Sequence, residues 1–401
     1  MRIYVIISVA FSLFFSTSSF GQNFPFWKKA VRRHGLKLNQ QAYCFRHSNG
    51  EIIGKNIDKP MFPASVSKLY LSYFALKKLG PDHRFKTKVL IKNGHIHFRG
   101  GNDPYFSSES LYFILSKLNK LGITKVKHLT FDSNFYFNWA LPEKNLAGIL
   151  KKYVNTQGWN LLHSTQYQNL LFQINDLKLK VQMPHTINFS AKHVYKSHNI
   201  DLYSFQEEIV FESSPLKKHL KEMNIYSNNF IANQLFEYLG GELGFSRFMK
   251  KEFKVDQNTI TFDNGAGFEP NVTTCRLTIY LLEELREYLS RKGLVFADIV
   301  SVPGEDKGTL EQRFPNDYKR TVIAKTGSLP HTATLAGMLN TESRPYAFSI
   351  FNRTYALQQA RNLQDKVVKD IFEVLGPPEQ VKYKREDFIS LIESRLQVNI
   401  Y

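Results

Sequence analysis

The stretch from Pro63 to Gly80, PASVSKLYLSYFALKKLG, limits the possible folds more than any other part of the chain. Its apolar side chains, Leu69, Leu71, Phe74, Ala75, Leu76 and Leu79, fall on every side of a helix, and Gly80-Pro81 ends it sharply. A helix that is apolar all round belongs inside a domain, so the other elements must pack around it. Two polar groups nevertheless sit at its opening turn, Ser65 and Lys68. Buried polar groups need partners or a task.

The spacing suggests the task. Residues three apart on a helix share a face. An ammonium in apolar surroundings has a lowered pKa, so a neutral Lys68 can accept the Ser65 proton. The helix N-terminus adds partial positive charge where an alkoxide would form. Alone the pattern is weak: Ser214 and Lys217 repeat it in SPLK, and Ser65 also reads as a helix cap.

With 401 residues, 43% hydrophobic and 22% charged, the chain has room for a large core and two domains. Arg2 precedes an apolar run from Ile3 to Phe15 and then STSSFG. This is the pattern of a secretory signal over 1–21, cleaved after Gly21. The run is too short to span a bilayer, and no later one is long enough. The expectation is an exported, periplasmic protein without a transmembrane anchor after signal cleavage. Its formal charge of +18 is scattered rather than gathered in one block. That favours peripheral association with an anionic wall or membrane surface over binding to nucleic acid. Cys44 and Cys275 are the two cysteines. A disulfide and a pair of buried thiols both remain open.

Pattern changes divide the chain. Residues 22–91 read as the first part of one domain, with an amphipathic helix near its start and a hairpin turning at Ser48-Asn49-Gly50. Residues 92–200, rich in strands and polar loops, read as an inserted smaller domain. Residues 201–376 resume the first domain with helices over Pro215–Met223, Phe230–Leu239, Arg276–Arg291 and Leu357–Leu375 and strands near Arg320–Ala324, TATLAGML and AFSIFNR. Residues 377–401 form a charged tail with no evident purpose. His95 and His97 share a strand face, but two ligands do not make a metal site, and they read as exposed.

Two further motifs stand apart from the helix. Ser227-Asn228-Asn229 lies in a turn directly before a helix, where a hydroxyl and an amide can face a cleft. Taken alone Ser227 would be a cap. Lys325-Thr326-Gly327 ends an apolar strand, joining a cation and a hydroxyl to a glycine that permits close backbone approach. Ser-x-x-Lys, Ser-x-Asn and Lys-Thr-Gly, in this order, form the set of penicillin-binding proteins and class A β-lactamases. Together with the GGNDP turn, SNNFIANQL, the loop DNGAGFEPN and KTGS, the chain resembles class C penicillin-binding proteins of the penicillin-binding protein 4 type, the S13 peptidases.

The resemblance implies an α/β (α+β) fold: a penicillin-binding, serine β-lactamase-like transpeptidase domain with a central antiparallel sheet flanked by helices and a smaller inserted domain. It implies a D-alanyl-D-alanine carboxypeptidase and endopeptidase acting on peptidoglycan stems and acylated by β-lactams, without cofactor or metal. Ser65 would be the nucleophile, Lys68 its base, and Ser227 the relay to the leaving nitrogen. Asn229 would hold the substrate amide. Lys325, Thr326, Gly327 and Ser328 would line the site of the terminal carboxylate, and the backbone N–H groups of Ser65 and Ser328 would form the oxyanion hole. Asn228 and Asn233 replace an Asp and a Glu common in the family, and DNGAGFEP lacks a Ser and an Arg of its counterpart. A β-lactamase would need a base for deacylation, and the Glu-x-x-Leu-Asn of class A enzymes is absent. A non-catalytic wall-binding protein would be expected to have lost Ser65 or Lys68.

Overall fold

The computed structural model describes residues 25–197, 199–255, 259–385 and 390–400, so the expected signal over 1–21 lies outside the described residues. Two sheets organise the molecule. The first contains β1 (Gln41–Arg46), β2 (Ile52–Lys55), β8 (Val322–Leu329), β9 (Thr332–Asn340) and β10 (Pro345–Arg353), in the order β2-β1-β10-β9-β8 and antiparallel throughout. Strand side chains alternate between faces. Tyr43, Phe45, Val322, Ala324, Phe348 and Ile350 pack with α1 (Pro25–Arg33) and α10 (Leu357–Leu375). Ala42, Cys44, Ile323, Ala336, Met338 and Phe351 join the core built around α2 (Ser67–Leu79). Helices therefore cover both faces, which explains why these strands are so uniformly apolar.

The central helix is as enclosed as its composition demands: Ser67 through Leu76 are all buried. The second sheet lies after it in the chain. It contains β3 (Lys86–Lys92), β4 (His95–Arg99), β5 (Lys125–Phe131), β6 (Ser190–Lys196), β7 (Glu207–Glu212) and β11 (Arg395–Ile400), in the order β11-β7-β3-β4-β5-β6. The β4–β5 and β5–β6 pairs are parallel. They are reached by crossovers through α3 (Ser108–Lys120) and through α4 (Leu146–Val154) and α5 (Leu161–Asp176), as parallel pairing requires. Around the remaining face of α2 lie α6 (Leu216–Tyr226), α7 (Asn229–Tyr238), α8 (Gly241–Phe253) and α9 (Cys275–Arg291).

Three expectations need correction. The boundaries 91/92 and 200/201 cut through the second sheet: β3 pairs with both β4 and β7, so the sheet begins near Lys86 and returns at Glu212. The turn at Asn93-Gly94 is a hairpin inside this unit. The tail also has a place, because β11 adds to the sheet edge with Leu396 opposite Phe211. Finally, His97 is buried rather than exposed, and its Nδ1 and the Nε2 of His95 both meet the hydroxyl of Thr130, at 2.9 and 2.8 Å. Burial pulls both imidazoles down to about 4, so they stay neutral. The open question of the cysteines closes as well: Cys44 and Cys275 form a disulfide that ties β1 to the first residue of α9. Cys44 alternates onto the α9 side of the sheet, so the two lie opposite each other.

Candidate active site

Ser65 sits one turn earlier than a plain helix start would place it. Ala64–Val66 form a single 3-10 turn that runs into α2 at Ser67. Side chains three apart eclipse in such a turn, so Ser65 and Lys68 remain together. Ala64 takes a φ of 46°, a left-handed conformation costly for a residue with a Cβ and common where a site holds its backbone under strain. The Lys68 Nζ donates to Ser65 Oγ, Asn229 Oδ1 and the Ala266 carbonyl, each at 2.9 Å. These three acceptors are neutral oxygens. Lys68 has no exposed surface, and burial draws its pKa down to about 7. Near neutrality a large share of the amine is unprotonated, with a lone pair open to the Ser65 proton.

Asn229 belongs to the second motif. Ser227 closes α6 with φ 56° and ψ 41°, and Asn228 starts α7 by accepting from the N–H of Ile231 at 3.0 Å. The capping task thus falls to Asn228 and not to Ser227, which leaves the half-buried Ser227 on the turn two residues from Asn229. The structure brings Ser65, Lys68 and Asn229 into direct contact. Ser227 lies on the turn that leads into Asn229.

The loop 263–271 supplies a partner that the motifs did not announce. Asn264 Oδ1 accepts from the N–H of Gly267 and of Phe268, both at 2.9 Å, and Asn271 Nδ2 donates to the Asn264 carbonyl at 2.7 Å. Gly267 has a φ of 94°, and a Cβ there would lie 1.9 Å from the Ala64 carbonyl oxygen, so only glycine fits against the serine turn. The preceding residue, Ala266, aims its carbonyl at Lys68 and lies 3.4 Å from Ser65 Oγ. Its N–H is held at 2.9 Å by Asn233 Oδ1. Asn233, noted in the sequence only as a departure, positions the carbonyl that receives Lys68. Its spacing of four from Asn229 on α7 is the one signal that pointed there.

The third motif lies on the edge strand β8. Lys325 is completely buried and donates to the Thr326 carbonyl at 2.8 Å. Burial, and then the nearby Lys68, push its pKa well below the usual lysine range. Thr326 Oγ1 donates to Thr309 Oγ1 at 2.8 Å. A Cβ on Gly327 would lie 2.8 Å from both the Pro63 carbonyl oxygen and the Ser65 nitrogen, so the strand backbone lies against the serine turn. Thr334, opposite Gly327 on β9, fastens that contact by donating to the Pro63 carbonyl at 2.8 Å. Ser328 is exposed and accepts from Arg361 at 3.3 Å.

A serine turn leading a buried helix, a Ser-x-Asn turn and a Lys-Thr-Gly edge strand on an α/β scaffold define the penicillin-binding and serine β-lactamase class of fold. The family comparison narrows this: the model of the D-Ala-D-Ala carboxypeptidase 3 (S13) family matches residues 42–140 and 204–371, and the chain belongs to that family. No curated protein matches it. Among solved structures it is similar to the predatory endopeptidase Bd3459 of Bdellovibrio bacteriovorus, in complex with immunity protein Bd3460. That match has a TM-score of 0.78 and 27% identity over 87% of this chain and 96% of that one. The Bd0816 predatory endopeptidase from the same organism gives 0.75 and 27%, over 87% and 96%. Penicillin binding protein 4 of Haemophilus influenzae shares the fold, with a TM-score of 0.56 and 20% identity over 82% and 96%.

Proposed function

We propose that the chain is an exported serine DD-peptidase that cuts peptidoglycan stems through an acyl-enzyme on Ser65. The observation that carries this reading is the buried Lys68 amine 2.9 Å from Ser65 Oγ with no acid among its acceptors. Neutral Lys68 takes the Ser65 proton as Oγ attacks the carbonyl of the penultimate D-alanine. The N–H groups of Ser65 and Ser328 stabilise the oxyanion, a role that the contact of Gly327 with the serine turn supports. Ser227 passes a proton to the leaving nitrogen as the C–N bond breaks. Asn229, with Oδ1 on Lys68, turns its amide nitrogen to a substrate carbonyl. Lys325, Thr326 and Ser328 form the wall for the terminal carboxylate. Water then hydrolyses the ester, with Lys68 again as base.

The substrate is peptidoglycan, cut as a DD-endopeptidase on cross-linked stems with carboxypeptidase activity alongside. Bd3459, 28% identical in its penicillin G acylated form, is a predatory peptidoglycan endopeptidase, which supports acylation by β-lactams and the endopeptidase part of the reading. No described helix is long and apolar enough to cross a membrane. Labelled penicillin followed by mass spectrometry of the digested protein tests the nucleophile. The adduct belongs on the peptide containing Ser65, and a label on Ser227 or Ser214 would refute it. Digestion of purified sacculi tests the bond: cross-linked dimers should disappear, and dimers that persist while pentapeptides shorten would leave a carboxypeptidase alone.

A further inference from the structure

Lys325 is the cation of the wall that its motif offers to the substrate's terminal carboxylate, and it stands behind the surface of that wall. It has no exposed surface and its ammonium is engaged with the carbonyl of Thr326. A full charge on it would also oppose the charge on Lys68 during every cycle. On the other side of β8 the arrangement is different. There a cleft of about 430 Å³ is lined by Thr309, Thr326, Ser328, Gln358, Arg361 and Arg313, among others. Two of these residues are guanidinium-bearing, and they are not equivalent. Arg313 is held by Asp365, with Nε donating to the carboxylate at 3.0 Å. Arg361 lies exposed near the start of α10, donates to Ser328 Oγ at 3.3 Å, and has no carboxylate partner among the described residues.

Resting on the DD-peptidase reading above, we propose that Arg361 is the residue that reads the carboxylate of the leaving residue, together with the hydroxyls of Thr326 and Ser328. A guanidinium is charged at any working pH and presents a planar fork that matches a carboxylate in two parallel hydrogen bonds. Its place outside the Lys68 pocket separates two duties. The carboxylate is held by a permanent cation, while the lysines beside Ser65 are left free to lose protons. A terminal D-alanine presents a carboxylate one carbon from the scissile nitrogen, and so does a diamino acid cut at its D-centre. The same subsite therefore serves both bonds. It excludes a leaving residue whose carboxyl is already amidated.

The experiment compares a peptide ending in D-Ala-D-Ala with its C-terminal amide, for wild type, Arg361→Ala and Arg361→Lys. Wild type should strongly prefer the free acid. In Arg361→Ala, kcat/KM on the acid should fall by about ten- to a hundredfold, mainly through KM, the range for losing a hydrogen bond to a charged group. Turnover of the amide should not change, and Arg361→Lys should recover part of the loss. An unchanged acid preference in Arg361→Ala, or equal losses on acid and amide with an unchanged melting temperature, would overturn the assignment. A wild-type protein that cleaves neither peptide and leaves cross-linked dimers of purified sacculi intact would overturn the DD-peptidase reading and this subsite with it.

Discussion

The chain holds the same tetrad twice, and the two copies do opposite things. In SVSK, Lys68 is enclosed and reaches three neutral oxygens, one of them Ser65 Oγ. In SPLK, Ser214 Oγ donates to the carbonyls of Ser390 and Ile392, at 3.0 and 2.6 Å, while Lys217 pairs with the exposed Asp82 at 3.1 Å. Serine and lysine do not meet there. Lys221, one turn further along α6, makes a third case: only 11% of its side chain is exposed, but it donates to the fully buried Asp306 at 2.7 Å as well as to two carbonyls. Sequence spacing is thus common to a base and a decoy, and burial is common to a base and a structural cation. What singles out Lys68 is burial without a carboxylate together with a serine hydroxyl in reach: Lys325 is buried in the same way, but its amine meets the Thr326 carbonyl and no hydroxyl.

The largest expected effect tests this directly. Lys68→Ala should cut the rate of penicillin acylation by about 10²–10⁴-fold, the usual contribution of a general base, while Lys217→Ala leaves it unchanged. In wild type, acylation should rise with pH through about 7, because the ammonium must lose its proton to act and activity is lost below that value. A stopped-flow pH series with labelled penicillin measures both, and a flat profile across pH 6–8 would remove Lys68 from the role of base.

Next in size is the contrast between Lys68 and Lys221. Lys221→Met leaves the buried Asp306 carboxylate with the Tyr383 hydroxyl and the Val302 N–H but without its cation, and should destabilise the fold by about 3 kcal/mol, the low end for breaking a buried pair. Lys68→Met removes a desolvated amine whose acceptors are neutral, and should cost no more than about 1 kcal/mol. Urea unfolding of the two variants decides the matter; equal losses would erase the distinction drawn between them.

Asn233 gives a smaller and sharper test. Asn233→Ala frees the N–H of Ala266, lets its carbonyl drift from Lys68, and should slow acylation by about tenfold, the worth of one such bond. Asn233→Asp keeps the acceptor but places a negative charge near the amine. It should restore part of the rate and move the midpoint of the pH profile above 7, since a neighbouring anion favours the ammonium. A purely structural residue would not shift that midpoint.

These contrasts also mark what the sequence could convey. The apolar helix, its two polar residues and the Asn and Lys-Thr-Gly motifs are local patterns, and all were legible. Ala266 was not, because a backbone carbonyl carries no side-chain signature, and Asn233 became meaningful only once the loop 263–271 was seen against it. The pairing of β3 with β7 and of β7 with β11 joins residues far apart in the chain, and no local periodicity records such contacts. The Cys44–Cys275 bond is of the same kind, spanning 231 residues. An imidazole on a strand reads as polar and exposed, yet one buried hydrogen bond to Thr130 is enough to keep His97 inside.

The smallest effect belongs to the decoy serine. Ser214 is buried, and its hydroxyl reaches two carbonyls in the segment that leads into β11. Ser214→Ala removes the donor and leaves those carbonyls without it, a loss of about 1 kcal/mol felt where the tail strand joins β7. Hydrogen exchange should therefore quicken in β11, while penicillin acylation proceeds at the wild-type rate. The two readouts separate the copies of the tetrad. Slower acylation with unchanged exchange would mean that Ser214 acts in chemistry, and the roles assigned to the two serines would have to be exchanged.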